Sequence, residues 1–282
     1  MRVAVVGHIE WVSFGLVDRV PLAGQIVHAT EAWELPAGGG AVAAVQLAKL
    51  AGACDLFTAV GDDELGERSV RELAALGVTV HAATRDAPTR KAVALIDSGG
   101  ERTITTLGDR LEPRAADPLP WDRLEGVDAA YVTAGDPGAF EAARRARVLA
   151  VTSRALPPLA ASRVVADLVV GSARDPAERF ETGSLADPPA LVVRTKGLAG
   201  GTWEGWGESG RWKGVVGFRD GEPILEGDAY GAGDTFAASL TFGLARGMSI
   251  TDAIALGARC GAACATGRGP YEGQLTDAEL DD

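Results

Sequence analysis

Asp228-Ala229-Tyr230-Gly231-Ala232-Gly233-Asp234-Thr235-Phe236 is the stretch on which the reading of this chain turns. Two glycines flank one alanine, an aspartate follows at once, and an apolar pattern of helical period begins. Phe236, Leu240 and Leu244 recur at helical spacing, and Gly247 stands where a helix would stop. The glycines therefore form a tight turn that opens a helix, with Asp234 in its first turn. Backbone N–H groups at such a turn lack partners, and the helix dipole adds roughly half a positive charge. That is an anion site, suited to a phosphate or a developing oxyanion. The carboxylate has two readings. It is either a helix cap beside a structural turn, or a general base beside an oxyanion cradle, worth ~10²–10⁴ in rate.

The rest of the composition narrows the choice. The 282 residues can bury a sizeable core as one large α/β domain or as two ordinary ones. Hydrophobic residues make up 46% and charged residues 23%, as in globular enzymes. With 27 basic against 39 acidic residues the net charge is −12, which disfavours a nucleic-acid partner. Any bound phosphate must therefore be held by local N–H groups and a counter-cation. The first residues, Met1-Arg2-Val3-Ala4-Val5-Val6-Gly7, read as a buried strand rather than a signal peptide. No apolar run approaches the ~20 residues that span a bilayer. Three cysteines do not make a disulfide framework. The expectation is a cytoplasmic protein with no membrane partner.

Along the chain, Val3 to Val6 is a short apolar run of the kind found in central parallel strands. His8, Glu10 and Trp11 follow where α/β folds place ligand contacts. Glu10 and Trp11 are read as ligand-touching residues, and His8 as a structural histidine. Residues 12–35 alternate as a small β excursion, and Gly38-Gly39-Gly40 then opens a helix that closes at Gly52. A strand over 55–60 leads to Gly61-Asp62-Asp63 and a helix over 64–76. The two aspartates are read as the cap and dipole partner of that helix rather than as metal ligands. Segments 78–83, 91–97 and 102–107 are grouped as an antiparallel set which, with 12–35, makes a lid.

Strands over 128–133, 148–152, 168–171 and 191–195, with a helix over 137–147, imply an open parallel sheet with right-handed crossovers. Thr195-Lys196-Gly197-Leu198-Ala199-Gly200-Gly201 is a glycine-rich turn, and Trp203, Trp206 and Trp212 after it are read as covering a sheet edge, with a nucleobase platform as the alternative. Cys260 and Cys264 have no partner pair that would complete a metal site and are read as core thiols.

These pieces resemble a known family. Asp228-Ala229-Tyr230-Gly231-Ala232-Gly233-Asp234 is similar to the D-T-x-G-A-G-D signature of the ribokinase-like (PfkB) carbohydrate kinases. Four further matches come in the family's order. They are Gly38-Gly39-Gly40 before Ala48-Lys49-Leu50, Val60-Gly61-Asp62-Asp63 with Gly66, Gly100-Glu101-Arg102-Thr103-Ile104, and Thr195-Lys196-Gly197 with Gly200.

The resemblance implies one domain over residues 1–282: an open, mostly parallel α/β sheet flanked by helices, with a small antiparallel lid from about 12–35 and 89–107. It implies ATP with Mg²⁺ and a small-molecule hydroxyl acceptor. In it Asp234 is the general base, and Gly231, Ala232 and Gly233 supply the anion hole. Thr195, Gly197 and Gly200 fall on the nucleotide side, with Asp228 near a monovalent cation such as K⁺. Glu10, Trp11, Gly38, Gly39 and Gly40 fall on the acceptor side. A homodimer through the lid sheet follows by analogy.

Three departures accompany the likeness. Val12 stands where the family commonly has a sugar-binding Asp, and Val42 where it has an Asn. Ser172-Ala173-Arg174-Asp175 replaces an N-x-x-E motif, leaving Asp175 as a shortened carboxylate for a magnesium-bound water. Two alternatives remain open. One is a nucleoside kinase of the same superfamily, favoured if Trp11 stacks on a base. The other is a binding protein that keeps the fold without efficient catalysis. A dinucleotide-dependent oxidoreductase fits poorly, because Val3-Ala4-Val5-Val6-Gly7 is not followed by G-x-x-G.

Overall fold

The computed structural model describes residues 1–181, 183–219, 222–224 and 228–280. Its first half runs β1 (Val3–Val6), β2 (Glu10–Leu16), β3 (Glu31–Ala37), α1 (Gly39–Ala51), β4 (Cys54–Gly61), α2 (Glu64–Ala75), β5 (Val78–Arg85), β6 (Lys91–Ile96) and β7 (Arg102–Leu107). The chain continues through β8 (Ala129–Val132), α3 (Pro137–Ala143), β9 (Val148–Thr152), α4 (Leu156–Ser162), β10 (Leu168–Ser172) and β11 (Leu191–Thr195). It closes with β12 (Gly201–Gly205), β13 (Glu208–Trp212), a hairpin of β14 (Gly217–Arg219) and β15 (Glu222–Ile224), then α5 (Ala232–Ala245) and α6 (Ile250–Cys264).

The main sheet has the order β13-β12-β11-β10-β9-β8-β1-β4-β5. From β5 through β11 every pair is parallel, and β12 and β13 extend that edge antiparallel. Both faces of the parallel strands are covered, which is why β1, β8 and the middle of β10 read as unbroken apolar runs. Val3 and Val5 share a core with residues of α1, α5 and α6, whereas Ala4 and Val6 face a second core with α3 and α4. The direction of strand order reverses at β1, between β4 and β8. A crevice opens beyond the carboxyl ends of the strands at such a switch point.

A second sheet, β3-β2-β6-β7, forms the lid. Its outer pairs are antiparallel, but the central pair β2–β6 runs parallel. The lid is thus mostly antiparallel rather than wholly so, because β2 and β6 each enter it directly from the main-sheet side. The grouping of 78–83 with the lid is also corrected: these residues form β5, the outermost parallel strand, beside β4. Helix α2 is the crossover between β4 and β5, so the apparent hairpin pattern began one strand too early. Helix α4 has no counterpart among the expected elements. Its Pro157 and Pro158 fall in the first turn, where a missing N–H is tolerated. Cys54, Cys260 and Cys264 are free and buried. No helix among the described residues is long and apolar enough to cross a membrane.

The Val60-Gly61-Asp62-Asp63 motif joins the two sheets. Asp63 caps α2 by accepting the Gly66 N–H at 2.8 Å, as expected. It also accepts the N–H and the hydroxyl of Thr89, each at 2.7 Å. Gly61 and Gly66 are required by packing. A Cβ on Gly61 would stand 2.4 Å from the Thr89 nitrogen, and one on Gly66 2.4 Å from the Gly61 carbonyl. The motif therefore clamps the segment that enters lid strand β6. Asp63→Ala removes a cap and two further hydrogen bonds, so the midpoint of urea unfolding should fall by an equivalent of about 2 kcal/mol, at unchanged slope.

Candidate active site

Helix α5 begins at Ala232, preceded by Gly231 at φ 81°, with no side chain capping its N-terminus. Helix α1 begins at Gly39, preceded by Gly38 at φ 89°, and it too has no side-chain cap. The two helices lie against each other in one core, and their first turns meet at Asp234. A Cβ on Gly39 would stand 3.0 Å from Asp234 Oδ1 and 3.5 Å from the His8 ring. Gly231 admits no side chain. Its backbone is left-handed, and a Cβ would stand 2.7 Å from Pro270 and 3.0 Å from Val42. At Gly233 a Cβ would meet nothing within 4 Å, so the turn faces open space there. Ala232 N–H makes only a long 3.4 Å bond to the Ala229 carbonyl. The result is a half-buried carboxylate between two uncapped helix N-termini.

Surrounding protein desolvates Asp234 and, with the negative Glu178 nearby, pushes its carboxyl up from 3.8 to about 6. Arg102 and Arg154 act in the opposite direction. An acid near 6 is ionised at neutral pH yet remains a competent proton acceptor. Beneath the turn, Asp228 is buried and accepts the Tyr230 N–H at 2.8 Å and the Gly269 N–H at 3.0 Å. The Tyr230 hydroxyl accepts the Gly38 N–H at 3.3 Å, tying the two glycine turns together.

Beyond Gly38 lies a second group of polar side chains. Glu10 is 6% exposed at the start of β2, and Arg90 Nη1 stands 2.9 Å from its Oε1. His8 Nε2 is 3.7 Å from the same oxygen. Burial, with Arg110 and Arg90 close by, lowers His8 to about 3, so that contact joins a neutral ring to a carboxylate and is not an ion pair. Burial raises Glu10, and Arg90 and Arg110 oppose the rise. Residue types at a strand end gave little sign of this group. His8 was discounted as structural, and nothing in the spacing marked Arg90 or Arg110.

The pfkB family of carbohydrate kinases matches residues 1–173 and 217–277. The chain belongs to that family. A ribokinase of Dictyostelium discoideum is 27% identical over 109 residues, which is 38% of this chain and only 34% of that protein's length. Two solved structures share the fold. A putative ribokinase of Agrobacterium tumefaciens superposes with a TM-score of 0.79 at 22% identity, covering 99% of this chain and 96% of that one. The ribokinase of Arabidopsis thaliana, solved with ribose and ATP, gives 0.75 at 19% identity, covering 99% and 97%.

Within this pfkB fold the other expected site residues fall in different places. Asp234, Gly231, Ala232, Gly233, Gly38, Gly39, Gly40 and Glu10 come together as described. Trp11 does not join them. Successive residues of a strand face opposite sides, and Trp11 turns away from Glu10, buried to 2%. Its ring is covered by the Arg68 guanidinium at 4.3 Å, and its N–H donates to Glu34.

Thr195, Gly197 and Gly200 form a turn at the end of β11, beside the end of β10. Gly200 is fixed there by φ 83° and by a Cβ position 2.1 Å from the Trp212 carbonyl, and Gly197 by φ 60°, with only the Arg174 side chain beside its Cβ position. Asp175 caps the turn that begins at Pro176 and pairs with Arg154. Glu178, which the motif comparison missed, accepts the Ser172 N–H at 2.7 Å and the Arg154 Nε–H at 2.8 Å. Glu178 rather than Asp175 is the carboxylate felt at Asp234. Trp203 is buried at the sheet edge and Trp212 stacks on Phe236, while Trp206 is exposed.

A carboxyl whose pKa rises on folding costs stability wherever it is ionised. For Asp234 the cost is absent below about 4, grows as pH rises, and is complete above about 6. Asp234→Asn should therefore raise the free energy of unfolding at pH 7.5 by about 1–2 kcal/mol. Denaturant unfolding should show that gain vanish by about pH 4.

Proposed function

We propose that this chain is an ATP-dependent kinase that transfers the γ-phosphoryl group to a hydroxyl of a sugar or sugar-like acceptor. The observation that carries the reading is Asp234, raised to about 6 and held between the uncapped N-termini of α1 and α5. A capping aspartate would spend its carboxylate on its own helix N–H groups. No hydrogen bond of that kind is made by Asp234, and α5 takes no side-chain cap.

The chemistry follows from the placement. The acceptor hydroxyl lies by Asp234, near Gly39 and His8, and gives its proton to the carboxylate as its oxygen bonds to the γ-phosphorus. The bond from that phosphorus to the β,γ-bridging oxygen breaks, and ADP leaves. N–H groups of Gly231, Ala232 and Gly233 face the charge that accumulates on the transferred group, as positioned dipoles that need no reorganisation. The Thr195–Gly200 turn takes the nucleotide end. Asp228 closes the loop from below. Its two oxygens accept the Tyr230 and Gly269 N–H groups and tie two loops together, and a carboxylate keeps further lone pairs beside such bonds, so a monovalent cation near this loop stays compatible with it.

Magnesium fits this arrangement. Among the described residues no group of three metal-ligating side chains occurs, but Mg²⁺ with a nucleotide needs only one or two carboxylates beside phosphates and water. Glu178, with Asp175 behind it, would hold it through water. The ion supplies charge neutralisation on the phosphate chain when bound.

The nucleoside reading loses its platform, since Trp11 is covered by Arg68. An assay of ATP consumption over sugars and polyols should find an acceptor. Asp234→Asn should lower kcat by ~10²–10⁴ while ATP affinity stays within a few-fold. In the parent, kcat/KM should fall with decreasing pH below about 6 as the base protonates. Undiminished turnover in Asp234→Asn would overturn the mechanism.

A further inference from the structure

Arg154 stands at the carboxyl edge of the main sheet, two residues past the end of β9. The junction of α1 and α5 lies along the same edge. A Cβ on Gly7, just past β1, would stand 2.1 Å from Thr133 Oγ1, just past β8, and β9 is the next strand over. One guanidinium there serves two carboxylates. The Arg154 Nε–H donates to Glu178 Oε1 at 2.8 Å, and its Nη2 donates to Asp175 Oδ2. The other two carboxylate oxygens take backbone donors. Glu178 Oε2 accepts the Ser172 N–H at 2.7 Å, and Asp175 Oδ1 accepts the Ala177 N–H at 2.9 Å. The two loops are also tied directly, because the Ser153 hydroxyl donates to the Glu178 carbonyl at 2.8 Å. A Cβ on Gly171 would stand 1.8 Å from Ser153 Oγ, so the tie needs a glycine there. Exposed ion pairs contribute little singly, but this is a network on a fixed backbone, and the Glu178 side chain is only 19% exposed.

Glu178 and Asp175 are the carboxylates that fit a magnesium ion, and Arg154 balances one of their two negative charges. Mg²⁺ sheds water reluctantly and is held by one or two carboxylates together with phosphates. A pair of carboxylates whose charge is half cancelled has little pull on a hydrated divalent ion, and the guanidinium repels that ion at close range. A phosphate chain reverses the balance, since it brings several negative charges to the same edge. Each carboxylate keeps lone pairs for a metal-bound water beside the bonds it already accepts. The cluster is therefore suited to a divalent ion that comes with a nucleotide, and poorly suited to the ion alone. Arg154 and Glu178 also act in opposite directions on Asp234, so the pair leaves the base little disturbed.

We propose that Arg154 is a positioning residue that couples metal to nucleotide, screening Glu178 and Asp175 so that a divalent ion is held there only together with a phosphate chain. The proposal rests on the kinase reading for the nucleotide, but its test needs no turnover. Mn²⁺ is the probe, and its binding is read from the loss of the free-ion paramagnetic resonance signal. The full chain is titrated without nucleotide and again with ADP. The proteins are the parent, Arg154→Gln, Arg154→Lys, and Arg154→Gln combined with Glu178→Gln. Urea unfolding of each variant checks that it is folded.

Without nucleotide, Arg154→Gln should bind Mn²⁺ at least ~10-fold more tightly than the parent, and the added Glu178→Gln should cancel that gain. Arg154→Lys keeps the charge and should stay within ~3-fold of the parent. The factor by which ADP tightens Mn²⁺ binding should fall at least ~10-fold in Arg154→Gln, and Mn²⁺ should lose the same factor in its effect on ADP. A merely structural arginine would give a loss of binding on removal, never a gain. Unchanged or weaker Mn²⁺ binding in folded Arg154→Gln would overturn the proposal, as would a gain that survives Glu178→Gln. Parent protein that binds Mn²⁺ as tightly without ADP as with it would overturn it whatever the variants do. Each of these leaves the kinase reading intact if an acceptor is turned over. The expected Mn²⁺ pattern without turnover of any acceptor would do the reverse.

Discussion

The close approach of two helix N-termini around one carboxylate is the constraint on which the rest depends. Helices α1 and α5 are each preceded by a glycine at positive φ, and neither spends a side chain on capping its N-terminus. Their unsatisfied N–H groups make the region positive enough to hold a carboxylate ionised, yet burial raises that carboxylate to about 6. Neither effect wins outright, and the balance leaves a carboxylate that is ionised at neutral pH and still able to accept a proton. The approach also explains the glycines in order. Gly40 faces the His8 carbonyl, where a Cβ would stand at 2.7 Å, and Gly231 sits over Val42 and Pro270. Any side chain at these two positions would force the helices apart.

The supports of this junction lie far from it in sequence. Gln274 donates from one Nε2 to the Val42 carbonyl and the Thr235 hydroxyl, each at 3.0 Å, so a loop after α6 clasps the first turns of both helices. Tyr271 donates to the Pro36 carbonyl at 2.6 Å, and Lys49 donates to the Tyr271 and Gln274 carbonyls at 2.6 and 2.9 Å. These buried polar bonds have good geometry, and their breakage would leave donors stranded in the core. Preorganisation of the turn is therefore distributed over the C-terminal loop, which carries no reacting group of its own.

What was legible in the sequence were features with a strong local signature. Glycine turns opening helices, apolar runs of buried strands and the Asp63 cap each follow from short-range sterics or hydrogen bonding, and each was found where expected. The strand over 78–83 was assigned to the wrong sheet, because strand periodicity says nothing about the partner that will accept the edge. Trp11 was read as a ligand contact from its position past β1. Yet the two-residue period of β2 sends it away from Glu10, and a register is fixed only when the strand finds its neighbours. Glu178 escaped because the motif offset pointed to Asp175. In the turn after β10 both carboxylates pair with Arg154, and the Glu178 charge is the one that bears on Asp234.

The division within the site also has a physical origin. The turns at Gly38–Gly40 and Gly231–Gly233 are built from backbone, whose N–H groups need glycine to be exposed, and glycine is visible in any comparison of motifs. The polar group of His8, Glu10 and Arg90 is built from side chains on or beside the lid, whose strands arrive from separate stretches of chain. Val12 and Val42 were positions where a polar residue was expected, and both have joined the apolar core instead. A buried valine cannot recognise a hydroxyl, but it can hold a turn in place, as Val42 does beneath Gly231. Loss of two polar contacts at the floor therefore need not weaken the junction of α1 and α5.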